Sequence, residues 1–554
     1  MVMLLLLALL ELAVAGSGTA GSAGIYVSPA GSDANDGSEA RPFLTLRRAQ
    51  QAARTSAPRL PVVLQRGTHR LALQPALSFT AEDGGTPHNE AVWRAELPGP
   101  NSGDSSASTR LSGGLRQSSW EPAPVPFGAG NRDDGVWRAN VSTLVASANW
   151  PFRTLRVGDS LWPSARWPLL NASNSPEDDW LFLANWSCDK EFHPCPGRQL
   201  GARVGTGRLE STIPATLGII PGDLPLPVDP AADFASADLN LFGTFERDVL
   251  SQVLPLPIRG SESTSAWNLS DPSKPTLAMQ CYGYQANQRY FFSNVKAGLA
   301  RKRTWWLDRE QHWLYLRLGQ HRGADAAEWL RSTTTDISAP SLTSLVTIRG
   351  TQWLHLSRLA FVDAGTQWQG YQGTEQARLS ESAREGSADA NATSSNGGGV
   401  RNVNGGSPGA TGSSSDRTGA GWPDCAVRVL DGSSEITLSN SSFRQLGGCG
   451  IEVTGAVQGV NVLSCLFSSI AAHGIRVNGF EQPAPGHTPH QLIFRGNVYQ
   501  EVGQLFAGAS GVDINGAAFG EISRSRFEAM PRNAIGLGSS FREPMVMTTN
   551  IVIR

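Results

Sequence analysis

The sequence predicts an all-β fold: parallel strands wound as a β-solenoid, with a small antiparallel β domain and a disordered segment inserted into it. The first observation is a phrase that recurs between Cys425 and Leu537. It reads Ala426-Val427-Arg428-Val429, Gly450-Ile451-Glu452-Val453, Gly474-Ile475-Arg476-Val477, Gly511-Val512-Asp513-Ile514 and Ala534-Ile535-Gly536-Leu537, in steps of 24, 24, 37 and 23 residues. The second is another phrase in phase with it: Ile436-Thr437-Leu438 to Phe443, Val460-Asn461-Val462 to Phe467, Leu492-Ile493-Phe494 to Tyr499, and Ile522 to Phe527. The third is that both phrases alternate apolar and polar residues, the period of a half-buried strand. One coil cannot bury its own apolar face, so neighbouring coils must stack. An antiparallel sandwich has strands at similar spacing, but it does not require the same residue class at the same phase in coil after coil.

Taken in order, residues 1–15 read as a signal peptide: a short apolar run interrupted by Glu11, then small residues at Ala13-Val14-Ala15. The run is too short for a membrane anchor, which needs about 18 apolar residues. Residues 25–116 hold an amino-terminal cap helix and the first coils. The helix runs from Leu46 to Arg54 with Thr45 as its N-cap, a lid for the apolar end of the stack. Residues 117–323 lose the period and carry paired apolar runs, Leu155 to Trp162 and Thr304 to Leu316, that read as hairpins of a Trp-rich antiparallel domain. Their tryptophans suit either a sugar-stacking platform or core packing. Residues 324–373 return to the solenoid, with Leu345 to Ile348 and Leu354 to Phe361 as one coil. Residues 374–421, crowded with Ser, Gly, Ala and Asn, read as a disordered insertion. Residues 422–554 are the carboxyl-terminal coils. There a fresh coil opens at Ala534 and no capping element follows. This predicts further coils beyond Arg554, against the alternative of a short chain that dimerises or is covered by its own insertion.

Charge narrows the partners. Lys+Arg 46 against Asp+Glu 48 leaves a net charge of −2, which supplies no basic field for a phosphate backbone. No nucleic-acid partner is expected, and no membrane span remains after signal cleavage. The mature chain is expected to be secreted, extracellular or in the cell wall, and monomeric.

The run YVSPAGSDANDGSEARPFLTLRRA followed by VVLQRGTHRL resembles the start of secreted right-handed parallel β-helix proteins of the pectin-lyase-like group. The segments FRTLRVGDSLWPSARWP, RYFFSNVKAGLARKRTWWLDREQHWLYLRL, FRQLGGCGIEVTG and FEAMPRNAIGLG are similar to those of glycoside hydrolase family 141-type proteins. The resemblance implies a right-handed coil and a carbohydrate-active role. It is loose for activity, because this fold hosts lyases, hydrolases, epimerases and non-enzymatic proteins.

GxSxG, HExxH and GxxxxGK[ST] are absent, which leaves carboxylates on a repeating surface. The outward position of the first phrase runs Arg428, Glu452, Arg476, Asp513, Gly536. Adjacent coils stack ~4.8 Å apart, so Glu452 and Asp513 lie ~9.6 Å apart in backbone. As a pair they are candidate catalytic carboxylates, because inverting glycosidases hold theirs ~6.5–9.5 Å apart. The alternative is an ion-pair ladder. Arg476 and His473 are candidate substrate-binding residues: Arg476 to hold a carboxylate or an acidic sugar, His473 as an acid/base or simply a turn residue. The enlarged loop from Phe480 to His490 beside them favours a cleft.

The leading reading is a glycoside hydrolase on cell-wall polysaccharide or glycan. The alternatives are a polysaccharide lyase and a non-catalytic carbohydrate-binding surface protein. No cofactor and no metal site is indicated. Calcium enters only because some β-helix lyases use it, and Asp33 and Asp36 lack EF-hand spacing and read as turn formers. Cys425 and Cys449 share a phase on adjacent coils and are disulfide candidates, as are Cys188 and Cys195, seven apart in a loop. Cys281 and Cys465 have no evident partner. Glycosylation sequons stand at Asn140, Asn171, Asn185, Asn268, Asn391 and Asn440.

Overall fold

The computed structural model describes residues 24–73, 76–97, 109–124, 135–148, 152–169, 180–182, 185–188, 215–218, 236–242, 251–255, 266–268, 289–319, 323–332, 335–366, 424–478, 488–538 and 548–554. The expected signal peptide, the expected insertion 374–421, residues 480–487 of the enlarged loop, Cys195, Cys281, Asn171 and Asn391 lie outside them. The chain is mostly β, with three long parallel sheets and few helices, consistent with a parallel β-helix.

From Val62–Leu64 onward, and outside the antiparallel strands, successive strands enter the three sheets in rotation. The first sheet orders Leu77–Phe79, Val346–Arg349, Cys425–Leu430, Cys449–Val453, Ile475–Val477, Val512–Asn515 and Ile535–Gly538. The second has nine strands and runs from Ile25–Val27 to Thr549–Ile553; the third has seven and runs from Gly67–Arg70 to Arg526–Glu528. Register follows the repeated phrase, with Val346, Val427, Ile451, Ile475, Val512 and Ile535 paired in succession. These side chains point inward and form one continuous core with the apolar residues of the other two sheets.

The second phrase ends in an aromatic ladder through that core. Phe361, Phe443, Phe467, Tyr499 and Phe527 stack with centroids 4.6–4.8 Å apart, which is the strand spacing of a parallel sheet. The ladder explains the glycine of the first phrase. A Cβ on Gly474 would lie 2.7 Å from the Tyr499 ring and 2.5 Å from the Gly511 carbonyl oxygen, and Gly450 and Gly511 face Phe467 and Phe527 in the same way.

The cap helix Leu46–Thr55 forms as expected. Thr45 accepts a hydrogen bond from the Arg48 amide, and Leu46, Ala49, Gln50 and Ala53 are buried. Asp33 prepares this turn by accepting from the amides of Leu44 and Thr45 and from the Thr45 hydroxyl, so it serves as a turn former. Arg54 then ties the helix to Asp83 through two bonds of 2.7 Å.

Leu77–Phe79 pairs directly with Val346–Ile348 although more than two hundred residues separate them in sequence. The chain therefore leaves the stack and returns to adjacent strands. Between them lie antiparallel pairs, including both expected hairpins, Leu155↔Trp162 and Thr304↔Arg317. The antiparallel pairing also takes in Gly114–Arg116 and Ile337–Pro340, just outside the expected limits of 117 and 323. Trp137, Trp162, Trp305 and Trp306 are buried here, which is packing and not a platform.

One feature is marked by glycine at a single position. Arg358, Asn440, Ser464, Gly496 and Arg524 share one corner between the second and third sheets, all at left-handed φ of 49–68°. A second such column, Asp363, Gln445, Ser469, Glu501 and Ala529, follows within the third sheet. Its kink turns Asp363 toward the antiparallel strands, where Arg156 holds both its carboxylate oxygens at 2.6 and 2.8 Å. Arg156 also bonds Asp336 at 2.8 Å, and Arg70 bonds the same Asp336 at 2.6 Å.

Candidate functional site

The outward row of the first sheet is Thr347, Arg428, Glu452, Arg476, Asp513 and Gly536, in register across adjacent strands. Alternation puts these residues on the face away from the apolar core. Glu452 and Arg476 are nonetheless only 2% exposed.

Glu452 sits between two guanidinium groups. Arg428 Nε donates to its Oε2 at 2.7 Å and Arg476 Nη2 to its Oε1 at 2.9 Å. The Thr454 hydroxyl adds a third bond to Oε1 at 3.2 Å. Burial alone would raise the carboxyl, but Arg428 and then Arg476 outweigh it and hold it down at about 2. An acid catalyst must carry a proton near working pH, and Glu452 does not. Its surroundings are those of the ion-pair ladder.

Asp513 differs. It is partly exposed, stands opposite Arg476 in register, and accepts from Asn515 Nδ2 at 2.9 Å. On its other side a Cβ at Gly536 would come within 2.5 Å of Asp513 Oδ1. The glycine leaves the carboxylate its space.

His473 is buried, and its Nδ1 accepts from the Ser510 amide at 3.0 Å. Burial pushes the imidazole down to about 3, with Arg476 and Arg532 adding to the shift. A neutral, buried ring with Nδ1 occupied is a coil-turn residue, the plainer of the two readings. Arg476 is likewise buried against Glu452 and offers the surface little of itself.

Sequence reasoning missed the next outward row, where Thr454, Asn478 and Asn515 share a phase. Asn478 accepts from the Gly455 amide at 3.2 Å and donates to the Gly516 carbonyl at 2.7 Å, bridging three coils. The Asn-Gly pairs at 478 and 515 were the available signal. Cys425 and Cys449 are joined in a disulfide with Cα atoms 4.3 Å apart. Asn140 and Asn440 are exposed; Asn185 and Asn268 fall on the strands Asn185–Cys188 and Ala266–Asn268.

No protein-family model matches the chain, and no curated protein matches it. Among solved structures it is similar to one described as "Glycoside hydrolase", with a TM-score of 0.60 and 17% identity over 93% of this chain and 80% of that one. It also aligns with "The complex structure of XylC with xylose" at 10% identity over 93% of this chain and 69% of that one, but the TM-score of 0.27 is too low to indicate a shared fold. The first of these shows what fold the chain is similar to: that of a solved glycoside hydrolase.

Proposed function

We propose that the chain is a secreted carbohydrate-active protein, a glycoside hydrolase on a right-handed parallel β-helix, acting on polysaccharide or glycan at the outer face of the first sheet. The antiparallel strands, expected over 117–323 and extending to Gly114 and Pro340, form its inserted domain, and residues 1–15 direct export. Exposed Asn140 and Asn440 would then be glycosylation sites, and the disulfide fits an oxidising compartment.

The observation that carries this reading is the contrast within one row: a buried, ionised Glu452 and a partly exposed Asp513, with Arg476 between them. Asp513 is the carboxylate assigned to meet the glycan: ionised beside Arg476, it would take a proton from the attacking water, while a second group gives a proton to the leaving oxygen. Glu452 is a positioning residue. It fixes the Arg476 guanidinium beside Asp513 and keeps the local charge balanced.

Incubation of the purified chain with a panel of polysaccharides separates the readings. Release of reducing ends supports the hydrolase. An absorbing unsaturated product would replace it with a lyase, and saturable binding without turnover would replace it with a binding protein.

A further inference from the structure

Away from the sheet face, two arginines converge on one buried carboxylate. Arg309 Nη1 and Nη2 bond Asp238 Oδ1 and Oδ2 at 2.8 and 2.6 Å, and Arg153 Nε bonds Oδ2 at 3.1 Å. The side chains of Arg153, Arg309 and Asp238 are 6%, 17% and 2% exposed. Among the described residues, Asp238 is the only carboxylate bonded to either guanidinium. Two positive charges therefore meet one negative charge in the interior, where an uncompensated charge is costly.

The unpartnered polar atoms around the cluster point the same way. Arg153 Nη2 and Arg309 Nε are buried donors with no protein partner, and Asn240 Oδ1 is a buried acceptor with none. Asp238 and Asn240 are two apart on one strand, Asp238–Phe242, so their side chains share a face. Burial pulls the Arg153 guanidinium below its ordinary value; Asp238 opposes this, and Arg309 adds to it.

We infer that the Arg153–Asp238–Arg309 cluster is a binding site for a monoanionic hydroxycarboxylate, the chemistry of a uronic acid. The carboxylate accepts from the spare guanidinium N–H groups and cancels the surplus charge. A neighbouring hydroxyl donates to Asn240 Oδ1. Arg309, the most exposed member, marks the side of entry. This site is independent of the proposed chemistry at Asp513.

Thermal unfolding of the full chain tests it in sodium glucuronate, sodium acetate and sodium chloride at matched ionic strength, and in glucose. Glucuronate is expected to raise Tm saturably by about 2 °C, acetate by less, and chloride and glucose not at all. Arg153→Met leaves the neutral Asp238–Arg309 pair, so it should lose the glucuronate response while keeping its Tm in chloride within about 1 °C of wild type. If that variant does not fold, Arg153→Lys, which keeps the charge without the planar fork, should at least halve the response. Equal rises in chloride and glucuronate, or an undiminished response in either variant, would overturn the site. Equal rises in acetate and glucuronate would overturn the hydroxyl contact.

Discussion

Arg476 and Glu452 are joined at 2.9 Å, each 2% exposed, on the side of a parallel sheet that faces away from the core. A pair so placed behaves as interior. Removing the carboxylate charge leaves two guanidinium groups facing a neutral amide, and losing one partner of a buried pair typically costs about 3–5 kcal/mol. Glu452→Gln should therefore lower stability by that order, measured as a fall in the denaturation midpoint. Unchanged stability would mean that the face is wetter than its burial indicates.

The same carboxyl sets an acid limit. Its native value of about 2 lies below the 4.5 of the free group, so the unfolded chain binds the proton first. Its contribution is complete above about pH 4.5 and is lost as pH falls through 2. His473 acts in the same direction at higher pH. Its native value of about 3 lies below 6.5, so acidification from 6.5 charges it in the unfolded chain only. Stability should fall with pH from 6.5 downward, and His473→Gln should flatten the upper part of that fall. Burial lowers His69 and His355 as well, so some slope should persist.

The aromatic ladder predicts two unequal glycine effects. Gly474→Ala drives a methyl group into the Tyr499 ring and the Gly511 carbonyl oxygen and should cost about 3 kcal/mol, the upper end of overpacking losses. Gly496→Ala meets nothing nearer than 3.5 Å at a φ of +68° and should cost only the left-handed penalty of about 1–2 kcal/mol. Chemical denaturation of the two variants measures both; a smaller loss at Gly474 would contradict the packing account.

Thiol chemistry separates the cysteines. Non-reducing peptide mapping should recover Cys425 and Cys449 as one linked peptide, while Cys465, buried and pushed up to about 12, resists alkylation in the native chain. Breaking the 24-residue loop by Cys449→Ala should cost about 3 kcal/mol.

Most of this fold was legible because a parallel stack repeats its chemistry at fixed phase. Val427, Ile451 and Ile475 announce the register, Phe443 and Phe467 the ladder, and Cys425 and Cys449 the bond across coils. The left-handed corners were not legible, since Arg358 and Arg524 occupy conformations that a sequence usually marks with glycine. Nor was the clamp between Arg156 and Asp363, 207 residues apart, because nothing local pairs them. At the site, alternation placed Glu452 and Asp513 on the outward row, but it carries no information about what covers that row. Burial is what distinguishes the two.

The claim that Asp513 works on a glycan while Glu452 supports it is tested most directly by Asp513→Asn, assayed for reducing-end release on whichever polysaccharide the wild type degrades, with Tm measured on the same sample. The account predicts loss of nearly all turnover with Tm within about 1 °C of wild type. Wild-type turnover in this variant would contradict it and leave the row as an ion-pair ladder alone.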